Sequence, residues 1–356
     1  MMRRSTLQFA LSLISFSVLL FEILLTRIFS VVLLYHFAYV AVSLALLGFS
    51  FGALYVYYRP AMHDAARIRR TVVVHSSCFS LSILACTLFL IHFRPGGIDL
   101  YTGLNPPTFR YLLMIYGVTT VPFIMAGICV SALLAAGRDA IGRFYCFDLL
   151  GAAAGAVAVI PIINILGAPS AMLVAAATAS ASGLFVTSKQ SWPIRSMPVG
   201  ILTVLVATWM LSLSQPVLTL RFTKGRLEHD DILFERWNSY SRVSAHPAKD
   251  KAIAIRIDAG AATRVFPASM HADLANNDIS TPAMRLRPNG NILIIGPGGG
   301  KEVAAAVALG LNSVTGVELN PIVVELATDR YREMSGGLYD RNNVTIVTEE
   351  GRSFLN

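Results

Sequence analysis

The first 214 residues leave little choice of fold, because apolar runs long enough to cross a lipid bilayer follow one another with only short polar breaks. A helix of about 20 apolar residues spans the hydrocarbon core. Residues 7–58 are too long for one such helix and divide near Ser30 to His36. With the runs downstream, seven spans are expected: 7–30, 35–58, 71–93, 111–136, 144–166, 168–187 and 196–214. Only 14% of the chain is charged, against about 25% in an average soluble protein. The start, "MMRRSTLQFALSLISFSVLL", has the basic and apolar regions of a signal peptide. No small-residue cleavage site follows, and the apolar character resumes after Arg27. It reads as a retained first helix in a domain covering 1–214.

The net charge of +8 invites a nucleic-acid reading, and its distribution removes it. Residues 1–214 hold 13 Lys/Arg against 5 Asp/Glu, and residues 215–356 hold 16 of each. The excess belongs to the apolar half, where it sets topology and does not form a binding face. No nucleic-acid partner is expected; the bilayer is. The cysteines Cys78, Cys86, Cys129 and Cys146 lie in apolar stretches without a CxxC pair and read as small buried hydrophobes. The scattered histidines form no ligand cluster, so no metal is expected.

Charge inside a span is costly and normally faces a partner within the bundle. Glu22, Arg27 and Asp148 are such residues. Arg27 is expected to reach the interface and Asp148 to pair with a neighbouring helix; a pocket for a polar ligand is the competing reading. Gly151 and Gly155 have the GxxxG spacing that lets two helices approach closely.

After Ser214 the composition changes. "SRVSAH" and "AIAIRID" alternate as strands do, with "PAKDK" as the turn between them. A small β-element is expected at about 219–266, with a linker to 285. Then "NILIIG" (291–296) is a continuous apolar run ending in glycine, typical of a strand buried in a parallel sheet. "GPGGG" turns, "KEVAAAVALG" is helical and closes on Gly310, and "NSVTGVELN" is a second strand ending in Glu318. "PIVVELATDRYREM" reads as a helix and "NNVTIVTEEG" as a third strand. This β-α-β-α-β order, over 290–356, is that of a nucleoside-binding α/β domain.

The chemistry accounts for the spacing. Gly296, Gly298, Gly299 and Gly300 let the backbone turn sharply and approach a ligand without a Cβ in the way. The following helix aims free N–H groups at that ligand. Glu318, 22 residues after Gly296, can accept both ribose hydroxyls of an adenosine. Glu350, after the third strand, stands where a side chain can reach the adenine edge. A Walker P-loop does not fit, since its first glycine would fall at Ile295 and Glu302 replaces the Ser/Thr. Lys301 therefore reads as a helix start.

These residues resemble the spermidine synthase (polyamine aminopropyltransferase) family, specifically its bacterial membrane-embedded members. The likeness is carried by "RWNSYSRV" (236–243), "IRIDAGAAT" (255–263), "NILIIGPGGGKE" (291–302), "GVELNP" (316–321), "GGLYDR" (336–341) and "EEGRSFL" (349–355). "FEILLTRIFS" and "FDLLGAAAGA" in the apolar half are similar to that group as well. The resemblance implies a polytopic α-helical membrane domain, a small β-element and a Rossmann-like, methyltransferase-type domain. It implies polyamine biosynthesis: decarboxylated S-adenosylmethionine gives its aminopropyl arm to a small-molecule amine acceptor. By the same resemblance Gly296, Gly298 and Gly300 line the turn, Glu318 holds the ribose, and Glu350 stands where the family has an Asp near the adenine. Trp237 to Arg242 belong to the element that helps cover the site.

Two departures stand out. The soluble enzymes carry an Asp in the glycine turn, where this chain has Gly299. The family's amine-deprotonating acid follows a fourth strand, and no candidate lies after Glu350. The chain is therefore expected to end within the domain, with a sheet edge open, no assignable catalytic residue and no turnover as it stands. Two other classes stay open: an S-adenosylmethionine-dependent methyltransferase, and a non-enzymatic transporter or sensor with a nucleoside-binding domain. An oligomer is compatible with each.

Orientation follows from loop charge. Arg3 and Arg4, the four arginines of 59–70, the two of 137–143, and Lys189 with Arg195 all fall on one side, which reads as cytoplasmic. Seven spans would leave the last domain outside. Adenosyl cofactors are cytosolic, so the domain is expected in the cytoplasm.

Overall fold

The computed structural model describes residues 4–94, 96–98, 100, 105–187, 190–228 and 231–356. Arg3 and Lys189, part of the loop-charge reading, lie outside the described residues, as does the side chain of Arg4. The chain divides into two compact units, Met1–Glu228 and His229–Asn356.

The first unit is helical: α1 (Arg4–Val32), α2 (Val40–Tyr57), α3 (Ile68–His92), α4 (Pro106–Ala136), α5 (Ile141–Leu184) and α6 (Trp192–Ser214). Among the described residues six helices are long and apolar enough to cross a membrane. α4 starts five residues before the expected 111, because Asn105 accepts the Thr108 N–H at 2.8 Å and Pro106 follows at the first helical position.

α5 is not one straight rod. Gly167 has φ 75° and ψ 160°, outside the helical region. Before it, Gly151 and Gly155 lie against the backbone of Ser12 and Phe16. Beyond it, Ala175 accepts from Ser17 Oγ at 2.6 Å, and the Phe185 ring meets Phe9 edge-on at 4.8 Å. The register along α1 thus rises before Gly167 and falls after it, so the chain reverses there and α5 is a hairpin of two antiparallel arms. Six helices therefore present seven apolar segments. Pro169 is tolerated because it sits in the first turn of the second arm, where its missing N–H has no intrahelical partner to lose.

Small residues set the closest approaches. A Cβ at Gly151 would lie 2.1 Å from the Ser12 carbonyl oxygen, and one at Gly52 would lie 2.6 Å from the Ile128 nitrogen. α1 against the first arm of α5, and α2 against α4, are therefore seated backbone to backbone. Ser15 Oγ donates to Asp148, which gives that carboxylate its neighbouring-helix partner. Cys86 and Cys129 are buried, whereas Cys146 is exposed. The last departs from the expectation of burial, because it sits on the face of α5 opposite Gly151 and Gly155. A two-residue hairpin, β1 (Phe222–Thr223) and β2 (Arg226–Leu227), closes the unit; the Lys224 N–H between the strands donates to the Val32 carbonyl at 2.8 Å.

The second unit holds two sheets. β3 (Phe234–Trp237), β4 (Arg242–Pro247), β5 (Ile253–Ile257) and β6 (Ala261–Val265) form an antiparallel meander. Two short helices, α7 (His271–Asn277) and α8 (Thr281–Arg285), lead to β7 (Asn291–Ile295), α9 (Lys301–Ala308), β8 (Ser313–Glu318), α10 (Pro321–Glu325), β9 (Val344–Thr348) and α11 (Gly351–Leu355). The three later strands are parallel in the order β7-β8-β9. Val303 to Ala306 of α9 pack with Leu311, Val314 and Leu338 on one side of that sheet. Val243, Ile255 and Val265 of the meander pack against Ile322, Val323 and Leu326. The meander is therefore cored on the parallel unit and does not stand alone.

β7 differs from a strand buried on all sides. It pairs with β8 alone among the described strands, and Leu293 and Ile295 are 38% and 56% exposed. Its apolar run reads as buried, yet among the described strands it has one neighbour, since a run of that kind says nothing about how many neighbours a strand has.

Candidate nucleoside site

The candidate residues meet at the carboxyl ends of the parallel strands. β7 ends in the glycine turn, β8 ends in Glu318, and β9 is followed by Glu350. That edge is where open parallel sheets bind ligands.

The four glycines are required for different reasons. Gly296, Gly298 and Gly300 have φ of 72°, 55° and 88°, which side-chain-bearing residues rarely adopt. Gly299 has no positive φ but has no room: a Cβ there would lie 2.2 Å from the Arg264 carbonyl oxygen on β6. Its N–H donates to Thr263 Oγ1 at 2.9 Å. A Cβ at Gly298 would lie 2.5 Å from that same Thr263 Oγ1. Beside Gly296, by contrast, a Cβ would meet nothing within 4 Å. β6 thus covers the middle of the turn and leaves its first glycine open.

Glu318 is buried, with 9% exposure. Its Oε2 accepts the Gly298 N–H and its Oε1 the Asn320 N–H, both at 3.1 Å. A carboxylate offers about four lone-pair positions, so each oxygen keeps one for a further donor. Asn320 is itself pinned: its Oδ1 accepts from Asn238 Nδ2, and its Nδ2 donates to Ser241 Oγ, both at 2.8 Å. The "NSYS" turn between β3 and β4 therefore orients the acid through one asparagine. Arg242, fully buried in the same hairpin, donates from Nε to Glu235 at 2.9 Å.

Tyr339 adds an unexpected group. Its hydroxyl is buried, has no hydrogen-bond partner among the described residues, and lies 2.7 Å from where a Cβ on Gly300 would be. Burial, with Glu318 and Glu302 nearby, pushes its ionisation well above the ordinary tyrosine range. The group stays protonated, a donor without an acceptor beside the glycine turn, and buried groups of that kind call for a partner.

Glu350 stands apart from this cluster. Its carboxylate accepts the Ser353 N–H at 2.9 Å and caps α11. The backbone N–H groups of Arg352 and Ser353 hold it below the usual glutamate range. Lys301 is the first residue of α9, and its ammonium pairs with the buried Asp278. That pairing explains the lysine without a phosphate. Sequence reasoning missed Thr263, Asn238, Asn320 and Tyr339, although all lie in or beside the motifs that drew attention.

A parallel strand, glycine turn, helix and second parallel strand ending in a held acid define a Rossmann-like unit. Spermidine synthase in complex with the transition-state analogue AdoDATO is similar over part of the chain, at 21% identity and a TM-score of 0.28, covering 35% of this chain and 43% of that one. Spermidine synthase from Thermotoga maritima gives the same identity, coverage and score. The chain therefore spans less than half the length of these structures, and a similarity so limited transfers neither family nor activity. No family model matches the chain, and no curated protein matches it.

Proposed function

We propose that this is a multi-pass membrane protein whose carboxy-terminal unit binds the adenosyl part of decarboxylated S-adenosylmethionine, as a spermidine-synthase-like aminopropyltransferase does. The observation that carries the reading is the open backbone at Gly296 beside a buried Glu318 with one free lone pair on each oxygen. Gly296, Gly298 and Gly300 shape the turn, Gly299 seats it on β6, Glu318 takes the ribose hydroxyls, and Glu350 reaches the adenine on leaving its cap. The Tyr339 hydroxyl donates to the bound nucleoside. In the transfer, the acceptor reacts as its neutral amine, its ammonium proton having gone to solvent, since no residue of this chain is assigned as the base. The freed nitrogen then attacks the carbon next to the sulfonium, and the C–S bond breaks with its electron pair left on sulfur.

Gly299 favours a second reading, methyl transfer from S-adenosylmethionine. The acid that would face the decarboxylated donor's amine is missing, and the close approach of β6 leaves no room for one. Titration calorimetry on the purified full chain separates the two. Preference for the decarboxylated donor supports aminopropyl transfer, and preference for the carboxylated donor supports methyl transfer. Glu318→Ala is expected to weaken either by at least about tenfold, the loss of one charge-assisted hydrogen bond. No binding of either donor, or of methylthioadenosine, refutes the site.

A further inference from the structure

The end of the α2–α3 connection carries a second site, unrelated to the nucleoside turn. A cavity of about 510 Å³ is lined by Arg59, Arg67 and Arg70, with Tyr55, Thr71 and His75. Among the described residues no carboxylate lines it, and Asp64, the only acid in 58–70, is outside the lining. None of the three arginines makes an ion pair among the described residues. Arg67 and Arg70 stand at the start of α3, whose first turn holds no acid; cations there oppose the positive end of the helix dipole. Three solvent-exposed cations thus face one cavity, and an anion entering it would offset their charge. It is also built: Thr71 Oγ1 donates to the Met62 carbonyl at 2.8 Å and fastens the loop to α3, and the Arg59 guanidinium lies 5.4 Å from the Tyr55 ring centre.

A second cavity, about 540 Å³, shares Tyr55 and His75 with the first. Its other walls are Phe51, Ile124, Met125 and Ile128. Phe51 lies one turn further into α2 than Tyr55, and Ile124 one turn further into α4 than Ile128. The polar cavity at the helix ends thus continues into an apolar groove that follows the helices inward. A phosphate anion alone has no use for the groove, whereas a phospholipid fills both.

We propose that this is a binding site for an anionic phospholipid, its phosphate held by Arg59, Arg67 and Arg70 and one acyl chain lying along Phe51, Ile124 and Ile128. The inference rests on the membrane reading above. It is tested with full-length protein reconstituted in nanodiscs of phosphatidylcholine with or without phosphatidylglycerol, then released into mild detergent for native mass spectrometry. Phosphatidylglycerol is expected to stay bound in preference to phosphatidylcholine. Arg→Gln at all three positions should weaken retention by roughly fivefold per charge removed, Arg→Lys should largely preserve it, and Arg143→Gln, on the same side but outside the lining, should leave it unchanged. Met125→Trp, which fills the groove, should expel the lipid. Equal retention of both lipids overturns the proposal. So does displacement by inorganic phosphate with no effect of Met125→Trp, which would mark a free-anion site. A chain recovered outside the carbonate-resistant membrane fraction overturns the membrane reading itself, a result separate from an integrated chain without lipid preference.

Discussion

Gly296 and Gly299, three residues apart, should respond very differently to alanine. At Gly299 the backbone would accept alanine, but the new Cβ would lie 2.2 Å from the Arg264 oxygen and 2.3 Å from its carbonyl carbon. Both are main-chain atoms of β6, which is paired along its length with β5 and cannot swing away as a side chain can. Restoring ordinary contact requires roughly 1 Å of separation, enough to break the bond from the Gly299 N–H to Thr263. Overpacking costs about 1–3 kcal/mol and the lost hydrogen bond about 1 kcal/mol, so Gly299→Ala should destabilise the carboxy-terminal unit by about 2–4 kcal/mol. Gly296→Ala meets no atom and bears only the left-handed backbone, about 1–2 kcal/mol. For a unit of this size these translate to roughly 10 °C and 5 °C in melting temperature. Thermal scans of the purified, ligand-free chain, with limited proteolysis following cleavage in the meander, would measure both. Donor binding should show the opposite ranking in proteins that remain folded, since Gly296 is the open position. If Gly299→Ala melts with the wild type, or Gly296→Ala melts below Gly299→Ala, the covered-turn geometry is wrong. Gly299→Asp should be worse than alanine, so restoring the acid that the resemblance calls for would not restore its role.

Acid stability should report the Asp278–Lys301 pair. Burial alone would raise the Asp278 carboxyl, but bonds from Lys301 and Ser280 outweigh it and bring the group down to about 2. A depressed carboxylate contributes fully above its unfolded value, near 3.9, and loses that contribution as pH falls towards 2. Asp278→Asn should therefore remove about 2 kcal/mol of stability at neutral pH and flatten the loss between about pH 4 and 2; denaturant titrations at each pH test this, and equal slopes would refute it. For orientation, single cysteines at Ala66 and Ser353 in a background lacking the four native ones should react with a membrane-impermeant maleimide from the same, cytoplasmic, side. Labelling from opposite sides would exclude a cytosolic adenosyl donor for this unit.

The legible part of the fold is local. Apolar runs of twenty residues announce the long helices, and strand–glycine–helix punctuation announces the parallel sheet, because each depends on neighbours in sequence. Asn105-Pro106 was a readable helix start that the apolar count passed over. The site is only half local. Gly296 and Glu318 follow from a repeating unit, but Thr263 reaches Gly299 across 36 residues and Asn238 reaches Asn320 across 82. Those pairings exist because the meander packs on α10, and no periodicity encodes that docking.

The same limit bears on orientation. Reversal at Gly167 makes α5 two arms, and the second, 168–184, is about 25 Å long at helical rise. That is just short of the hydrocarbon thickness of about 30 Å. If both arms cross, an odd number of crossings separates the two ends of the chain, and the arginine-rich loops then put the glycine turn on the face without adenosyl donors. A cytoplasmic donor site requires an even number of crossings, yet a second arm that stopped short would carry Arg195 to the face opposite the arginine-rich loops and would not bring Phe185 back to Phe9 near the start of α1. Loop charge and site chemistry thus converge on one structural question: whether the number of crossings is odd or even. The labelling pair at Ala66 and Ser353 answers it, because the parity of crossings is what it reads.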